Sequence, residues 1–137
     1  MALVYTDASA LVKLLREEPE SASLRTFLAG GDLLCSELAL VEVPRAIRRA
    51  VASDPGLPLE TLLSLAGELF DALALLPLDR DLLSAAGAVS EPALRSLDAI
   101  HVIAAVALSP LDAFVTYDER QAAAARLAGL RTLSPGA

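Results

Sequence analysis

Cysteine and aromatic residues are scarce in this sequence, which has one cysteine, no tryptophan and only 4% aromatic residues. Cys35 has no partner for an internal disulfide, and its place in the strand-like run Leu33–Cys35 predicts a buried thiol in a reducing compartment. The sequence is nevertheless 55% hydrophobic. Its core must therefore be built mainly from Ala, Leu and Val, a composition that suits helices packed on a sheet.

Long apolar runs are also missing. The longest, Ala99–Leu111, is shorter than the roughly 20 residues that a membrane helix needs. Asp7 and Lys13 interrupt the amino-terminal region, which lacks the basic start and apolar stretch of a secretory signal. These absences predict a soluble protein of the cytoplasm that makes no membrane contact.

Positive charge is in short supply, because 11 Lys and Arg residues face 18 Asp and Glu residues and leave a net charge of −7. This balance argues against a protein that coats nucleic acid through a generally basic surface. A local nucleic-acid site is still compatible with it, since Arg45, Arg48 and Arg49 form one concentrated patch. Lys13 is the only lysine. Arginine suits phosphate contacts, but a GC-rich genome would produce the same bias.

Strand-like and helical patterns alternate along the chain, and no linker or repeat divides it. The predicted strands are Leu3–Thr6, Leu33–Cys35, Ala74–Leu78, Ala113–Thr116 and Leu130–Leu133. The predicted helices are Ala8–Glu17, Glu20–Leu28, a helix capped by Ser36 that reaches Ser53 and is kinked at Pro44, Leu59–Leu73, Arg80–Val89, Leu97–Leu108 capped by Ser96, and Glu119–Leu127. We therefore expect one α/β domain over residues 1–137, with a mainly parallel sheet of four to five short strands and helices on both faces.

Three aspartates fall where helical patterns begin. Asp7 and Asp118 directly follow strand-like runs, and Asp98 stands near the start of a later helix. In an open α/β sheet the carboxyl ends of the strands are where ligands bind. Clustered carboxylates repel one another unless a cation joins them, and hard oxygen ligands select magnesium or manganese. Each aspartate taken singly is also a good helix cap, and one carboxylate can serve both purposes.

Four further polar residues accompany these aspartates. Glu42 follows Leu38 by one helical turn on an otherwise apolar face, where a half-buried carboxylate needs a cation or a metal. Ser9 and Thr116 are hydroxyls beside the acids that could orient a carboxylate or a water, or could cap backbone amides. His101 follows Asp98 by one turn. We favour a packed histidine with one hydrogen bond there, with a metal or proton-transfer role as the alternative.

At this point the chain resembles a known family, the PIN-domain ribonucleases, and specifically the VapC toxins of bacterial toxin-antitoxin pairs. The resemblance spans essentially the whole chain. It rests on Thr6–Lys13, Ser36–Leu38, Val41–Val43, Leu94–His101 and Phe114–Asp118, of which the fourth block is the most specific.

The resemblance implies a site and a set of partners. It implies that Asp7, Glu42, Asp98 and Asp118 hold magnesium or manganese for cleaving RNA phosphodiester bonds, with Ser9 and Thr116 assisting. Bound metal activates water and relieves phosphoryl charge, so no nucleophilic side chain is needed. Glu42 is then either a ligand or the base that orients the water. The resemblance also implies a homodimer and a cognate antitoxin whose tail covers the cleft.

Other classes fit the residues less well. A phosphatase of the haloacid dehalogenase type expects a second acid two residues after the first aspartate, where this chain has Ser9, and a receiver domain expects a late lysine. The main alternative is a catalytically weak PIN-like protein that acts through partner binding. In either case the apolar helical faces near Ala22–Leu28 and Leu59–Leu73 are expected to be buried in a homodimer or an antitoxin complex.

Overall fold

The computed structural model describes residues 2–137 as an alternating set of strands and helices. The strands are β1 Leu3–Thr6, β2 Asp32–Ser36, β3 Ala74–Leu76, β4 Ala113–Val115 and β5 Thr132–Leu133. The helices are α1 Ala8–Leu15, α2 Ser21–Leu28, α3 Ala39–Ser53, α4 Leu59–Ala72, α5 Arg80–Gly87, α6 Ser96–Ala107 and α7 Glu119–Leu127. Among these helices, none combines the length and the apolar character needed to cross a bilayer.

The five strands form one sheet in the order β3-β2-β1-β4-β5, and every neighbouring pair is parallel. The predicted α/β fold with a mainly parallel sheet is therefore confirmed. β1 lies in the middle, with Tyr5 opposite Leu34 of β2 and Phe114 of β4. Because the chain order reverses around β1, the carboxyl ends of β1 and β4 lie side by side, which is where open α/β sheets bind ligands.

One face of the sheet is covered by the two helices that follow β1. Side chains alternate between the faces of a strand, and Val4, paired with Ala113, points to this side. Leu24 and Leu28 of α2 are buried against it. The β1 and β4 strands are thus fixed from this side by a small aliphatic cluster.

The other face carries the larger core. Tyr5 and Phe114 are fully buried there, and their rings stack with centroids 5.2 Å apart. Val43 and Ile47 of α3 and Val102 of α6 are buried in the same cluster. The predicted helices on both faces are thus confirmed, and the thicker helical layer brings α3 and α6 together above the centre of the sheet.

Two predicted helix caps are wrong. Ser36 is the last residue of β2, where it pairs with Leu76, and α3 begins only at Ala39 with no side-chain cap bond. Ser96 is the first residue of α6 rather than its cap, and Arg95 precedes it without capping through its side chain. The Ser36 hydroxyl accepts from the backbone N–H of Leu38 at 3.3 Å, so it bonds the turn that precedes α3 and not the first turn of the helix. α3 itself continues through Pro44.

Candidate active site

A cleft of about 720 Å³ opens beside the ends of β1 and β4. All four predicted acids line it, although they come from four different parts of the chain: Asp7, Glu42, Asp98 and Asp118. Ser9 also lines the cleft, whereas Thr116 is fully buried beneath it. The fold therefore places every predicted site residue in or directly under one cleft.

Asp7 is a buried carboxylate that contacts only neutral groups. It is 4% exposed and caps α1 by accepting from the backbone N–H of Ala10 at 3.1 Å. The hydroxyls of Ser9 and Thr116 donate to its two oxygens at 2.6 and 2.5 Å. Burial raises the pKa of Asp7, although the charge of His101 and these hydrogen bonds oppose the rise. An ionised Asp7 therefore lacks a contacting cation of its own.

The two hydroxyls also tie the ends of β1 and β4 together. Ser9 Oγ accepts from the backbone N–H of Tyr117 at 2.9 Å, and Thr116 Oγ1 accepts from the N–H of Asp118 at 3.1 Å. Each hydroxyl thus donates to Asp7, which directly follows β1, and accepts from a backbone N–H in the segment that follows β4. Ser9 and Thr116 orient the carboxylate and cap backbone amides at the same time.

Asp98 and Asp118 share one guanidinium. Arg95 Nε donates to Asp98 Oδ2 at 3.0 Å, and Arg95 Nη2 donates to Asp118 Oδ2 at 3.2 Å. Asp118 also caps α7, because its Oδ1 accepts from the backbone N–H groups of Arg120 and Gln121. These two acids therefore have a cation between them, supplied by the chain itself.

Glu42 is half-buried, as its apolar helical face predicted, and its partner is His101. His101 Nε2 lies 2.5 Å from Glu42 Oε1, and His101 Nδ1 lies 2.8 Å from the Tyr5 hydroxyl. Burial would lower the pKa of His101, but hydrogen bonding and charge from Cys35 and Glu42 outweigh it and raise the pKa to about 10. The pair is consequently ionic at neutral pH. His101 was predicted to be a packed residue with one hydrogen bond; it is packed, but both ring nitrogens are bonded.

One wall of the cleft is basic. Arg45 and Arg49 line it one helical turn apart on α3, on the same side as Glu42. Both are exposed, and within residues 2–137 neither forms an ion pair. Lys13 also lines the cleft but is held by Glu18 and Glu20. The cleft therefore offers two unpaired guanidinium groups beside its acids.

The donor set of the cleft suits a hard divalent cation, although the acids do not already form a closed cage. Across residues 2–137, no three His, Cys, Asp or Glu side chains are grouped closely enough to hold a metal ion. Asp98 and Asp118 are turned toward Arg95, and Glu42 toward His101. Carboxylate oxygens are nevertheless the ligands that magnesium and manganese prefer, and buried Asp7 would gain the positive charge that its contacts lack.

The sequence reasoning missed two members of this cleft. Arg95 stands three residues before Asp98, a helical spacing that brings side chains together and could have predicted the ion pair. His101 was considered in relation to Asp98, but its partner is Glu42 on another helix. Nothing in the order of the residues indicates that α3 and α6 meet.

Comparisons with known proteins agree with this fold and cleft. The PIN domain family model matches residues 4–127. Ribonuclease VapC47 of Mycobacterium tuberculosis (strain CDC 1551 / Oshkosh) is 42% identical over 141 residues, covering 98% of either chain. Ribonuclease VapC46 of strain ATCC 25618 / H37Rv is 37% identical over 137 residues, covering 98% of this chain and 99% of that protein. The chain therefore belongs to the PIN domain family and to the VapC group within it.

Proposed function

We propose that this chain is a divalent-metal-dependent ribonuclease that hydrolyses RNA phosphodiester bonds and serves as the toxin of a toxin-antitoxin pair. The observation that carries the proposal is the convergence of four carboxylates in one cleft, with Asp7 buried among neutral donors. Relatives named as ribonucleases over almost the full length support the choice of RNA as substrate.

Asp7, Asp98 and Asp118 are proposed to hold magnesium or manganese, and Glu42 either joins them or acts as the base. A divalent ion would lower the pKa of an attacking water and neutralise charge on the phosphoryl oxygens. Ser9 and Thr116 keep Asp7 oriented by donating to both of its oxygens. No covalent intermediate on the protein is required.

In its role as the base, Glu42 is proposed to receive the proton of the attacking water. His101 engages only Oε1 of Glu42, so Oε2 can face the cleft. As water adds to phosphorus, Glu42 would take up its proton, and the phosphorus–oxygen bond to the leaving nucleotide would break with its electron pair going to the leaving oxygen, which takes a proton from solvent. His101 keeps the carboxylate in one orientation and compensates its charge before that proton arrives.

The unpaired Arg45 and Arg49 are proposed to bind phosphates on either side of the scissile bond. An RNA strand in an acidic protein needs local positive charge, and arginine matches phosphate geometry through its planar fork. Arg45 and Arg49 follow Glu42 along the same face of α3 and line the cleft with it. The substrate backbone is therefore expected to run along this helix.

Partner binding at the same cleft is proposed for a cognate antitoxin. Val41 and Leu97 line the cleft and are 61% and 47% exposed. Exposed apolar side chains beside a charged centre favour contact with a polypeptide. A homodimer is proposed as well, through faces that leave other apolar side chains such as Phe27 and Leu65 exposed.

Cleavage of RNA by purified protein tests the proposed activity. Asp7→Asn, Glu42→Gln, Asp98→Asn and Asp118→Asn should each lower manganese-dependent cleavage by roughly 100-fold or more, because each removes a charge at the reacting centre. Asp71→Asn is the matched control, since Asp71 is exposed on α4 and does not line the cleft. Full activity in Asp98→Asn would overturn the proposed site, whereas no cleavage by wild type with manganese would support the partner-binding alternative.

A further inference from the structure

Arg95 forms ion pairs with two of the acids that line the cleft. Its guanidinium joins two carboxylates from different helices, Asp98 of α6 and the cap of α7, Asp118. In contrast, Arg25 donates from both of its terminal nitrogens to the single carboxylate of Glu17. The Arg95 guanidinium therefore occupies the space between two acids that would otherwise face each other unneutralised.

The position of this guanidinium is also the one that a cation held by both acids would need. The oxygens that Arg95 contacts are Oδ2 of Asp98 and Oδ2 of Asp118. The remaining oxygen of Asp118 is already used to cap α7, so Oδ2 is the atom that Asp118 has left for a ligand. A divalent ion and Arg95 cannot both contact that oxygen closely, because two cations would then lie side by side.

The Arg95 side chain is exposed enough to move away from Asp98 and Asp118. It is 57% exposed and stands at the mouth of the cleft, whereas Asp98 is 11% exposed. An exposed ion pair is weak and opens readily when a competitor binds one partner. The acids stay in place while the arginine can swing into solvent or onto an RNA phosphate.

We propose that Arg95 is a built-in counter-ion that occupies the cation position between Asp98 and Asp118 and is displaced when divalent metal binds. This inference rests on the proposed function, because it assumes that these two acids hold metal. It explains why no closed group of metal-binding side chains exists among residues 2–137 although four acids line one cleft. Metal affinity is then set by a competition inside the chain.

Manganese titration by isothermal calorimetry tests the competition on the full chain. Arg95→Gln removes the competitor and should bind manganese roughly tenfold more tightly than wild type, a change of about 1.4 kcal/mol. Arg25→Gln should bind like wild type, since it loses a comparable exposed arginine away from the cleft. Arg95→Lys keeps the charge but loses the two separate guanidinium nitrogens that contact the two acids, so it should also bind more tightly than wild type.

A direct readout on the wild-type protein does not depend on how the variants fold. The Nε–H resonance of Arg95, identified by its loss in Arg95→Lys, should shift and exchange faster with water when diamagnetic magnesium saturates the site. Magnesium should leave the corresponding resonance of Arg25 unchanged.

The outcomes separate this inference from the proposed function. Manganese binding that is abolished by Asp98→Asn but unchanged in Arg95→Gln would overturn the inference and leave the metal site intact. An Arg95 resonance unmoved at saturating magnesium would do the same. A third outcome is that Arg95→Gln binds manganese more tightly while Arg95→Lys binds it with wild-type affinity. The gain in Arg95→Gln would then come from reduced charge repulsion alone, and the displacement of Arg95 by metal would be overturned. Absence of manganese binding in wild type and Arg95→Gln alike would overturn both proposals.

Discussion

His101 connects the sheet core to the cleft through its two ring nitrogens, and its protonation should control stability at alkaline pH. The pKa of His101 is raised to about 10 in the folded state, against roughly 6.5 when unfolded. The folded state therefore holds the proton more tightly, and this stabilisation is complete below about pH 6.5 and lost as the pH rises toward 10. His101→Gln should flatten this part of the pH profile.

Chemical denaturation between pH 6 and 10 measures the effect. The wild-type free energy of unfolding should fall across this window by on the order of 4 kcal/mol more than that of His101→Gln, since each unit of pKa difference is worth about 1.4 kcal/mol. Glu42→Gln serves as the companion variant, because it removes the anion that holds the proton on His101. Parallel profiles for all three proteins would contradict an ionic His101–Glu42 pair.

Asp7 should behave differently from Asp98 when each is neutralised. Burial raises the pKa of Asp7, so its ionised form weakens the apo fold as the pH rises above the unfolded value of about 3.9. Asp7→Asn keeps the oxygen that caps α1 and should melt at or above wild type in EDTA at pH 7. Asp98→Asn should melt below wild type, since it leaves Arg95 with one partner fewer.

Thermal melts with manganese complete this comparison. Metal that binds only the folded state adds about 2.7 kcal/mol at a hundred times its dissociation constant, which is several degrees of melting temperature for a domain of this size. Asp7→Asn should lose most of that gain. If it is destabilised in EDTA yet fully stabilised by manganese, Asp7 is a helix cap and nothing more.

At the level of elements, α3 carries both the proposed base and the proposed phosphate contacts. Arg45→Gln with Arg49→Gln should weaken binding of single-stranded RNA in an inactive Glu42→Gln background. Each lost phosphate contact lowers the slope of log affinity against log salt by roughly 0.7 for a single strand, so the pair should lower it by roughly 1.4. Arg48→Gln is the matched control, being an exposed arginine of the same helix outside the cleft. An unchanged slope in the double variant would place the RNA elsewhere.

The succession of elements could be predicted because each has a local cause. Short apolar runs such as Leu3–Thr6 end at polar residues, and helical stretches such as Glu119–Leu127 begin after a capping aspartate. Ends that depend on a neighbour could not be predicted in this way. Ser36 extends β2 because it pairs with Leu76, 40 residues later in the chain, and its hydroxyl bonds the turn before α3 and not the first turn of the helix.

The acidic residues of the candidate site could be predicted from the sequence, but the cationic side chains that contact them could not. The sequence indicated Asp7 and Asp118 because they follow strand-like runs, and it indicated Glu42 because it interrupts an apolar helical face. The spacing of Arg95 to Asp98 indicates one of its two ion pairs but not the second, with Asp118, and a histidine in an apolar helix is an ordinary feature. Their significance depends on the meeting of α3, α6 and α7 above the sheet, which only the fold provides.

At the level of the whole molecule, apolar side chains remain uncovered in the two helices that we expected to form an interface. Phe27 of α2 is 37% exposed and Leu65 of α4 is 40% exposed. If α4 joins a homodimer, Leu65→Glu should convert a dimer at micromolar concentration into a monomer, as measured by light scattering. Leu127→Glu is the control, since Leu127 is 80% exposed outside both helices. A strictly monomeric wild type would contradict the proposed dimer.

The adjacency of β1 and β4 in the sheet has a consequence for synthesis on the ribosome. Thr116 donates to an aspartate 109 residues earlier, and β4 pairs with β1 across the same separation in the chain. A nascent chain that ends before Ala113 lacks β4, the Thr116 hydroxyl and the Asp118 carboxylate. Pairing across so long a separation forms late in folding. Under the proposed function, the ribosome that makes this ribonuclease is not exposed to its activity until Asp118 has been synthesised.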